Sequence, residues 1–410
     1  MRLQHKFFMA IILIALLFCT NAEAQQLGDE MEEKRFAQFT FIYPIGSNGQ
    51  QSSITTNNVS LNVLMGMSGG VNGIEIGGLH NTTKGDVTGF QLGGLGNVTT
   101  GITRGFQLGG LYNIDGGLTT GVQFAGITNV INGPSKGVHF SGITNIVNKE
   151  SWAFQASGLT NITPEGNHGM QIAGISNLNG KAGEGAQLSG IVNISQGKRS
   201  KFQAAGLVNI STESVEGVQL SGFLNYAKRL NGFQLSLINI ADTVERGVPL
   251  GLISVVKNGY YAFEIEANEA FWINATYKMG VPKLYNIFTI GFKQQDSKEM
   301  WGVGLGLGSL VPIGKAWGVN IDLTATHVNE NEWWTNELNL LNRLKINAWI
   351  DLGPIQIYGG PSLNVHVSNL KNNEGQPGGN LIDPELSFYN EIHGNTRTIV
   401  YPGFNLGIRF

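Results

Sequence analysis

Asparagine recurs every sixteen residues through the middle of the chain, and this period constrains the fold more than any other feature. One phrase surrounds each copy, so that residues 105–113 read GFQLGGLYN and residues 121–129 read GVQFAGITN. A fixed period over this length indicates stacked, nearly identical units. The recurring residues are Asn81, Asn97, Asn113, Asn129, Asn145, Asn161, Asn177, Asn193, Asn209 and Asn225.

Each repeat predicts two short strands that meet at a glycine corner. The pair Gly109–Gly110 favours a bend, because glycine reaches positive φ at little cost. We expect Phe106 and Leu108 to point inward from the first strand and Leu111 from the second. Asn113 then stands at a second corner, where its side chain bonds the backbone of neighbouring coils. The result is a β-solenoid with stacked Gln and Asn ladders.

The alternative for the repeats is a large antiparallel barrel with one strand per repeat. Barrels of that kind alternate short turns with longer loops. The linkers Thr82–Thr88, Val98–Arg104 and Ile194–Ser200 all have the same length, with no alternation. Equal linkers favour the solenoid.

The last 150 or so residues change to a period of two, which indicates half-buried strands. In residues 317–326 an apolar side chain alternates with a small or polar one, as in a barrel with lipid outside and a polar lumen. Further strands at Ala37–Tyr43 and Val59–Val63 either join this barrel or cap the solenoid. Eight strands are predicted, at residues 260–268, 271–279, 284–294, 300–309, 316–328, 337–352, 355–367 and 398–410.

Six charged residues fall on inward positions of the predicted barrel: Glu264, Glu266, Asp322, Arg343, Lys345 and Asp351. The lumen of an eight-stranded barrel is narrow, and charges buried there must pair. We therefore interpret them as an internal salt-bridge network, with channel and catalytic roles as the alternatives.

The final strand carries the most specific local signal in the chain. Phe404, Leu406, Ile408 and Phe410 alternate with small or polar residues. A terminal aromatic that closes an alternating strand resembles the signal by which the barrel-assembly machinery recognises Gram-negative outer-membrane proteins.

The first residues predict a secretory signal peptide. Arg2 and Lys6 precede the apolar run Phe7–Phe18, and Ala22–Ala24 offers a small-residue cleavage site. Cys19, the only cysteine, lies in this segment, so we expect no disulfide or thiolate site in the mature chain. The predicted divisions are 1–24 signal peptide, 25–65 N-terminal strands, 66–255 solenoid and 256–410 C-terminal barrel.

Composition and motifs point away from several classes of protein. Lys and Arg number 26 against 29 Asp and Glu, a balance that argues against binding to nucleic acid. The glycine alternation of Gly302–Gly308 lies in a predicted strand, whereas a phosphate loop precedes a helix. The histidines lack metal-site spacing. We expect no catalytic residue, cofactor or metal.

The repeat phrase G-[FV]-Q-[LF]-[SAG]-G-[LI]-x-N, preceded by Ser60–Val63 and Gly70–Gly73, resembles the leptospiral-type surface-repeat family over residues 36–255. The resemblance implies a secreted protein of a Gram-negative outer membrane or cell surface, and no known reaction.

These features together predict an all-β, non-enzymatic outer-membrane or cell-surface protein with a structural or adhesive role. Its expected partners are outer-membrane lipid, the barrel-assembly machinery and a protein or glycan ligand. An outer-membrane pore or transport barrel is the first alternative, and a surface hydrolase is the second.

Overall fold

The computed structural model describes residues 33–295 and 298–410, and the described chain is all-β apart from the 3-10 helix Gly49–Ile54. The predicted signal peptide, with Cys19, lies outside the described residues. Twenty-six strands, β1–β26, form a parallel solenoid of about 13 turns, and nine more, β27–β35, form a separate antiparallel sheet.

In chain order, β1–β26 span Glu33–Ile42, Ile45–Gly46, Thr55–Ser68, Gly70–Gly77, His80–Thr83, Val87–Gly93, Gly96–Thr99, Thr103–Gly109, Tyr112–Asp115, Thr119–Ala125, Thr128–Ile131, Ser135–Ser141, Thr144–Val147, Ser151–Ser157, Thr160–Thr163, Met170–Ala173, Ser176–Asn179, Ala186–Ser189, Val192–Ser195, Ser200–Ala205, Val208–Ser221, Leu224–Leu230, Phe233–Leu235, Ile238–Val244, Val248–Leu250 and Ile253–Val256.

Each sixteen-residue repeat makes one coil, which confirms the predicted solenoid. A coil contains a longer strand such as β8 and a four-residue strand such as β9. Within the repeats each strand pairs in parallel with its equivalent one coil later, so that Thr119 lies opposite Thr103 and Asn129 lies opposite Asn113. The two-residue strand β2 is the exception in this sheet, since it pairs antiparallel with β1. Identical residues therefore stack at the ~4.8 Å spacing of paired strands, so that thirteen turns extend about 60 Å.

The N-terminal strands belong to this parallel sheet. β1 pairs in parallel with β3 from Glu33 opposite Thr55 onward. β3 in turn pairs with both β4 and β5. These strands lie at the start of the solenoid, one of the two placements left open above.

Glycine is required at the corner for a different reason from the positive φ that we expected. Gly110 and Gly126 are not among the glycines with positive φ, whereas Gly105 and Gly121, inside the longer strands, have φ of 138° and 134°. A Cβ on Gly126 would stand 2.1 Å from the carbonyl oxygen of Gly110 in the previous coil. The corner requires glycine because successive coils approach too closely there for any side chain.

The antiparallel sheet matches the eight predicted strands to within a few residues and adds one short strand. Its order is β27-β28-β29-β30-β31-β32-β33-β35-β34, and β27 also pairs with β35. The short strand β34 pairs with the start of β35. In chain order, β27–β35 span Tyr260–Asn268, Ile273–Val281, Leu284–Gln295, Lys298–Pro312, Trp317–Glu330, Asn339–Asp351, Gln356–Ser368, Tyr389–His393 and Thr396–Arg409.

The last coils of the solenoid contact one end of the antiparallel sheet. The Asn286 side-chain amide donates to the carbonyl oxygen of Gly251 at 2.7 Å, and the Tyr261 hydroxyl donates to that of Val256 at 2.6 Å. Val281 packs into a buried apolar cluster with Leu230 and its solenoid neighbours. This is the end at which the sheet has short connections, such as the two residues between β28 and β29.

Candidate functional site

The asparagine column forms a continuous ladder inside the solenoid. The Asn161 amide donates to Asn177 Oδ1 at 2.9 Å and to the carbonyl oxygen of Ile172 at 2.7 Å. Its own Oδ1 accepts from Asn145 at 2.9 Å. The same pattern links every step from Asn81 to Asn239. Each amide thus satisfies a neighbouring side chain and a backbone carbonyl one coil away.

A second ladder is built from glutamines on the longer strands. Gln107 donates to Gln91 at 2.8 Å, and Gln171 donates to Gln155 at 2.9 Å. The glutamine side chains are fully buried. The sixteen-residue recurrence of Gln carries the signal for this ladder as clearly as the recurrence of Asn does.

The expectation that the aromatic and aliphatic residues point inward was wrong. Leu108 and Leu111 are exposed, Phe106 is partly exposed, and Gln107 between them is fully buried. Alternation along a strand sends neighbouring side chains to opposite faces, so burying glutamine places Phe106 and Leu108 outside. The interior is polar because stacked amides satisfy one another, and the apolar residues form the outer surface.

An exposed aliphatic or aromatic residue follows the corner glycine, or Ser236 in one coil, and these residues form what we call the corner column. They lie between the faces made by the longer and the four-residue strands. The corner column consists of Leu79, Leu95, Leu111, Ile127, Ile143, Leu159, Ile175, Ile191, Leu207, Phe223, Leu237 and Leu252.

Two carboxylates lie inside the solenoid among neutral donors. Asp115 accepts hydrogen bonds from Thr103, Gln107, Thr119 and Gln123. Burial raises the pKa of the Asp115 carboxyl, and these hydrogen bonds oppose that rise.

Glu75 occupies the first described position of the glutamine ladder and accepts from Gln91 at 2.7 Å. Its two oxygens also accept from Asn62, Ser68 and Thr83. Burial raises the pKa of Glu75 as well. The ladder of donating amides thus ends on an acceptor-only group.

His139 interrupts the glutamine ladder at mid-length. It stands where other coils have Gln, it is fully buried, and neither ring nitrogen has a hydrogen-bond partner. Burial lowers its pKa to about 4, because a charged imidazolium would have no compensating partner there. The neutral ring fills the space of a glutamine without continuing its hydrogen bonds.

The antiparallel sheet buries five of the six charged residues selected from the sequence, and these five form two clusters. Asp351, at the end of β32, is only partly buried, so the prediction of a buried charge was wrong there. Glu266 accepts from Lys345 at 2.7 Å and lies 3.8 Å from Arg343. Asp322 accepts from Lys278 at 2.7 Å.

Glu264 is held by two basic residues that the sequence reasoning missed. Lys278 lies 2.9 Å from Glu264 and Arg409 lies 2.6 Å from it. The signal for both was available, because each falls on the inward parity of its strand. The Tyr285 hydroxyl also donates to Asp322 at 2.6 Å. Ion pairs and hydroxyls fill this part of the interior.

The far end of the same interior is apolar. Phe271, Met300, Leu341 and Ile399 are fully buried together, and Ile382 from the segment between β33 and β34 joins them. The Lys293 ammonium donates to the carbonyl oxygen of Leu381 in that segment at 3.3 Å. A folded segment therefore covers this end of the sheet.

The terminal strand places its apolar residues outward. Phe404, Leu406, Ile408 and Phe410 are all exposed, whereas Asn405 and Arg409 between them are buried. Phe410 is tied to the first strand of the sheet, since its backbone exchanges hydrogen bonds with Phe263.

Residues 33–295 and 298–410 contain no group of three or more His, Cys, Asp or Glu that could hold a metal ion. His366 bonds Asn339 at 2.7 Å, and Ser362 accepts from Asn364, so these two polar residues of β33 have separate partners. In the described ranges no helix has the length and hydropathy to cross a membrane.

Comparison with known proteins gives no match to a family model, to a curated protein or to a solved structure.

Proposed function

We propose that β27–β33 and β35 close into an eight-stranded barrel that spans an outer membrane and anchors the solenoid to it, in a non-enzymatic structural or interaction role. The main support for this proposal is that exposed apolar and buried polar side chains alternate along the strands. On β31, Ile321 and Leu323 are 43% and 58% exposed, whereas Asn320, Asp322 and Thr324 are buried. Apolar outward and polar inward is the pattern of barrels in lipid.

Three further observations support this proposal. The pairing of β27 with β35 joins the first and last long strands, so that neither leaves an unpaired edge over that stretch. The eight long strands have 9–15 residues, enough to cross a bilayer at a tilt. The alternating, outward-facing residues Phe404, Leu406 and Ile408 of β35 resemble an assembly signal.

The connections suggest an orientation. Outer-membrane barrels have short turns on the periplasmic side and longer loops outside. Here every connection at the end that contacts the solenoid has two to four residues, whereas the two longest connections, between β31 and β32 and between β33 and β34, lie at the other end beside two short ones. This assignment places the solenoid on the periplasmic side.

The interior favours an anchor over a pore. Lys278, Arg409 and their carboxylate partners occupy one part of the barrel axis, and the cluster around Phe271 occupies the other. Buried ion pairs at one level and a packed apolar cluster at another fill the interior with side chains, which favours an anchor.

The test is fractionation followed by gel mobility and conductance. The protein should sediment with outer membranes and migrate faster in cold detergent than after boiling, because a folded barrel resists cold detergent. Refolded into planar bilayers it should not conduct, and removing Phe410 should lower the assembled fraction. Recovery of the full chain in the soluble fraction would overturn the proposal, and stable conductance would favour a pore.

A further inference from the structure

The solenoid carries an apolar coat that nothing in the described chain covers. The corner column is 40–51% exposed along its whole length, and the outward columns that contain Phe106 and Leu108 are aromatic or aliphatic in every coil from Ile74 to Leu250. Neither these two columns nor the corner column contains Asp, Glu, Lys or Arg.

On the outer surface of the coils, charged side chains are confined to the linker edge, defined as the segments that join each four-residue strand to the next longer strand, together with the residues flanking them. Ion pairs run from coil to coil along it, such as Arg104 with Asp86 and Lys149 with Glu165. All four of these side chains are about half exposed. The outward positions of the four-residue strands also lack Asp, Glu, Lys and Arg, although one of their two columns includes Thr and Ser. One edge of the solenoid is therefore suited to water, and the two faces that converge on the corner column carry no charge.

This distribution is the reverse of that in a water-soluble solenoid, which buries its apolar side chains and exposes its amides. The interior amides are satisfied by the ladders, and the strand backbones are bonded from coil to coil. A surface that presents apolar side chains over a fully bonded backbone is what a hydrocarbon solvent requires.

We propose that the solenoid inserts its corner column and both adjoining faces into one leaflet of the membrane, with acyl chains as the occupant and the linker edge in water. The inference rests on the proposed membrane anchor and assigns a second lipid site outside it. Because the two faces diverge from the corner column, whatever shields them from water must contact both. A rigid partner docked on one face leaves the other in water, whereas fluid acyl chains cover both.

The dimensions fit a single leaflet. A four-residue strand such as β9 extends about 13 Å at the rise of an extended chain. The hydrocarbon core of a bilayer is about 30 Å thick, so one leaflet provides about 15 Å. The apolar face therefore reaches the bilayer centre without carrying the linker edge into hydrocarbon.

The boundary between face and linker edge carries interfacial side chains. At one equivalent position in successive coils stand Lys136, Trp152 and His168. The Trp152 ring stacks on His168 at 5.1 Å, and the Lys136 ammonium lies 5.5 Å from the Trp152 ring. Tryptophan and basic residues concentrate where a membrane meets water. In the proposed orientation, Lys136, Trp152 and His168 lie at the depth where the membrane meets water.

The experiment places one fluorophore at a time on the full chain in phosphatidylethanolamine–phosphatidylglycerol vesicles, in a Cys19→Ser background. Ile143→Cys probes the corner column, Asn132→Cys probes the linker edge, and Leu323→Cys probes the outer face of β31. Ile143 is 41% exposed, so the substitution removes little burial. Leu159→Cys, one coil later, repeats the corner measurement if the first variant does not fold.

Brominated acyl chains should quench the labels at 143 and 323 severalfold more than the label at 132, and aqueous iodide should quench in the opposite order. Equal iodide quenching at 143 and 132 would overturn the inference. Protection at 143 from both quenchers would also overturn it, in favour of a protein partner such as a second copy. In either case, quenching of the label at 323 by brominated lipid would still support the barrel anchor. A label at 323 that brominated lipid does not quench would refute the anchor.

Discussion

The solenoid and the antiparallel sheet both have polar interiors and apolar outer surfaces, but they fill the interior with different chemistry. The solenoid uses neutral amides such as Asn161, and the sheet uses ion pairs such as Lys345 with Glu266. Parallel coils in register stack each residue on its own kind, so a charged column would repel itself. An amide both donates and accepts and can therefore pair with a copy of itself.

Antiparallel strands face different residues toward one another. Lys345 can lie beside Asp322 in the register and reach Glu266 across the interior. Opposite charges meet there without any repeat in the sequence. The symmetry of the backbone therefore decides whether a polar interior is neutral or charged.

The largest expected effect comes from removing one partner of a buried ion pair. Glu266→Gln removes the carboxylate that Lys345 and Arg343 contact and should lower the free energy of unfolding by about 3–5 kcal/mol. Denaturant unfolding of the refolded protein measures it. The matched control is Glu337→Gln, at an exposed position, which should change stability by less than about 0.5 kcal/mol. Equal effects would mean that the ion pairs do not hold the sheet together.

A break in the asparagine ladder should cost somewhat less. Asn161→Leu removes the acceptor of Asn145 and the donor to Asn177 and Ile172, and buried groups left unpaired cost about 1–3 kcal/mol each. Since neighbouring amides can partly rearrange, we expect a loss of about 2–4 kcal/mol in denaturant unfolding. Glu165→Ala in the adjacent linker removes only an exposed ion pair, worth at most about 1 kcal/mol. A similar small loss for both variants would show that the ladder is not structural.

The buried carboxylate of Asp115 tests the rule that the solenoid prefers neutral groups. Because burial raises its pKa in the folded state, Asp115 destabilises the fold as pH rises above the ordinary aspartate pKa of about 3.8. Asp115→Asn should therefore stabilise the protein by on the order of 1 kcal/mol at pH 7, with a gain that shrinks toward pH 3. Thermal unfolding across this pH range measures the difference. Destabilisation at pH 7 would contradict the rule.

The smallest effect is expected from deleting one whole coil. Removing residues 153–168 joins Trp152 to Gly169 in register and brings Asn145 beside Asn177, so the ladders reconnect and the fold should persist with little loss. Circular dichroism and protease resistance would show a folded chain. Removing residues 153–160, half a coil, is the matched control and should break the stack at the deletion, because the coils after it no longer lie in register with the coils before it. Equal damage from both deletions would contradict the modular stacking of coils.

The sequence predicted the coil from its period and the later strands from their alternation, because both patterns follow directly from backbone geometry. It also placed Glu264, Asp322 and Lys345 on inward positions, since strand parity alone decides that. The membrane orientation and the molecular partner of the protein stay predictions.

The inward and outward faces of the repeat were assigned the wrong way round. Local alternation separates Gln107 from Leu108 but is silent on which of them faces the interior, and the usual rule that apolar residues are buried chose Leu108. The deciding contact, from Gln107 to Gln91 in the previous coil, lies sixteen residues away. The role of the corner glycine was mispredicted for the same kind of reason. Glycine is required there because Gly110 lies close to Gly126 in the next coil, a contact between residues sixteen positions apart.

The polar interior of the solenoid is the central claim, and hydrogen exchange of the side-chain amides tests it most directly. In a nuclear magnetic resonance spectrum of the refolded protein transferred to D₂O, the ladder amides, Asn161 and Gln171 among them, should persist for hours because they are bonded and buried. The exposed amide of Asn132 in the linker edge should vanish at once. Loss of all side-chain amide signals within the dead time would contradict the account, because amides that face water exchange without any opening of the fold.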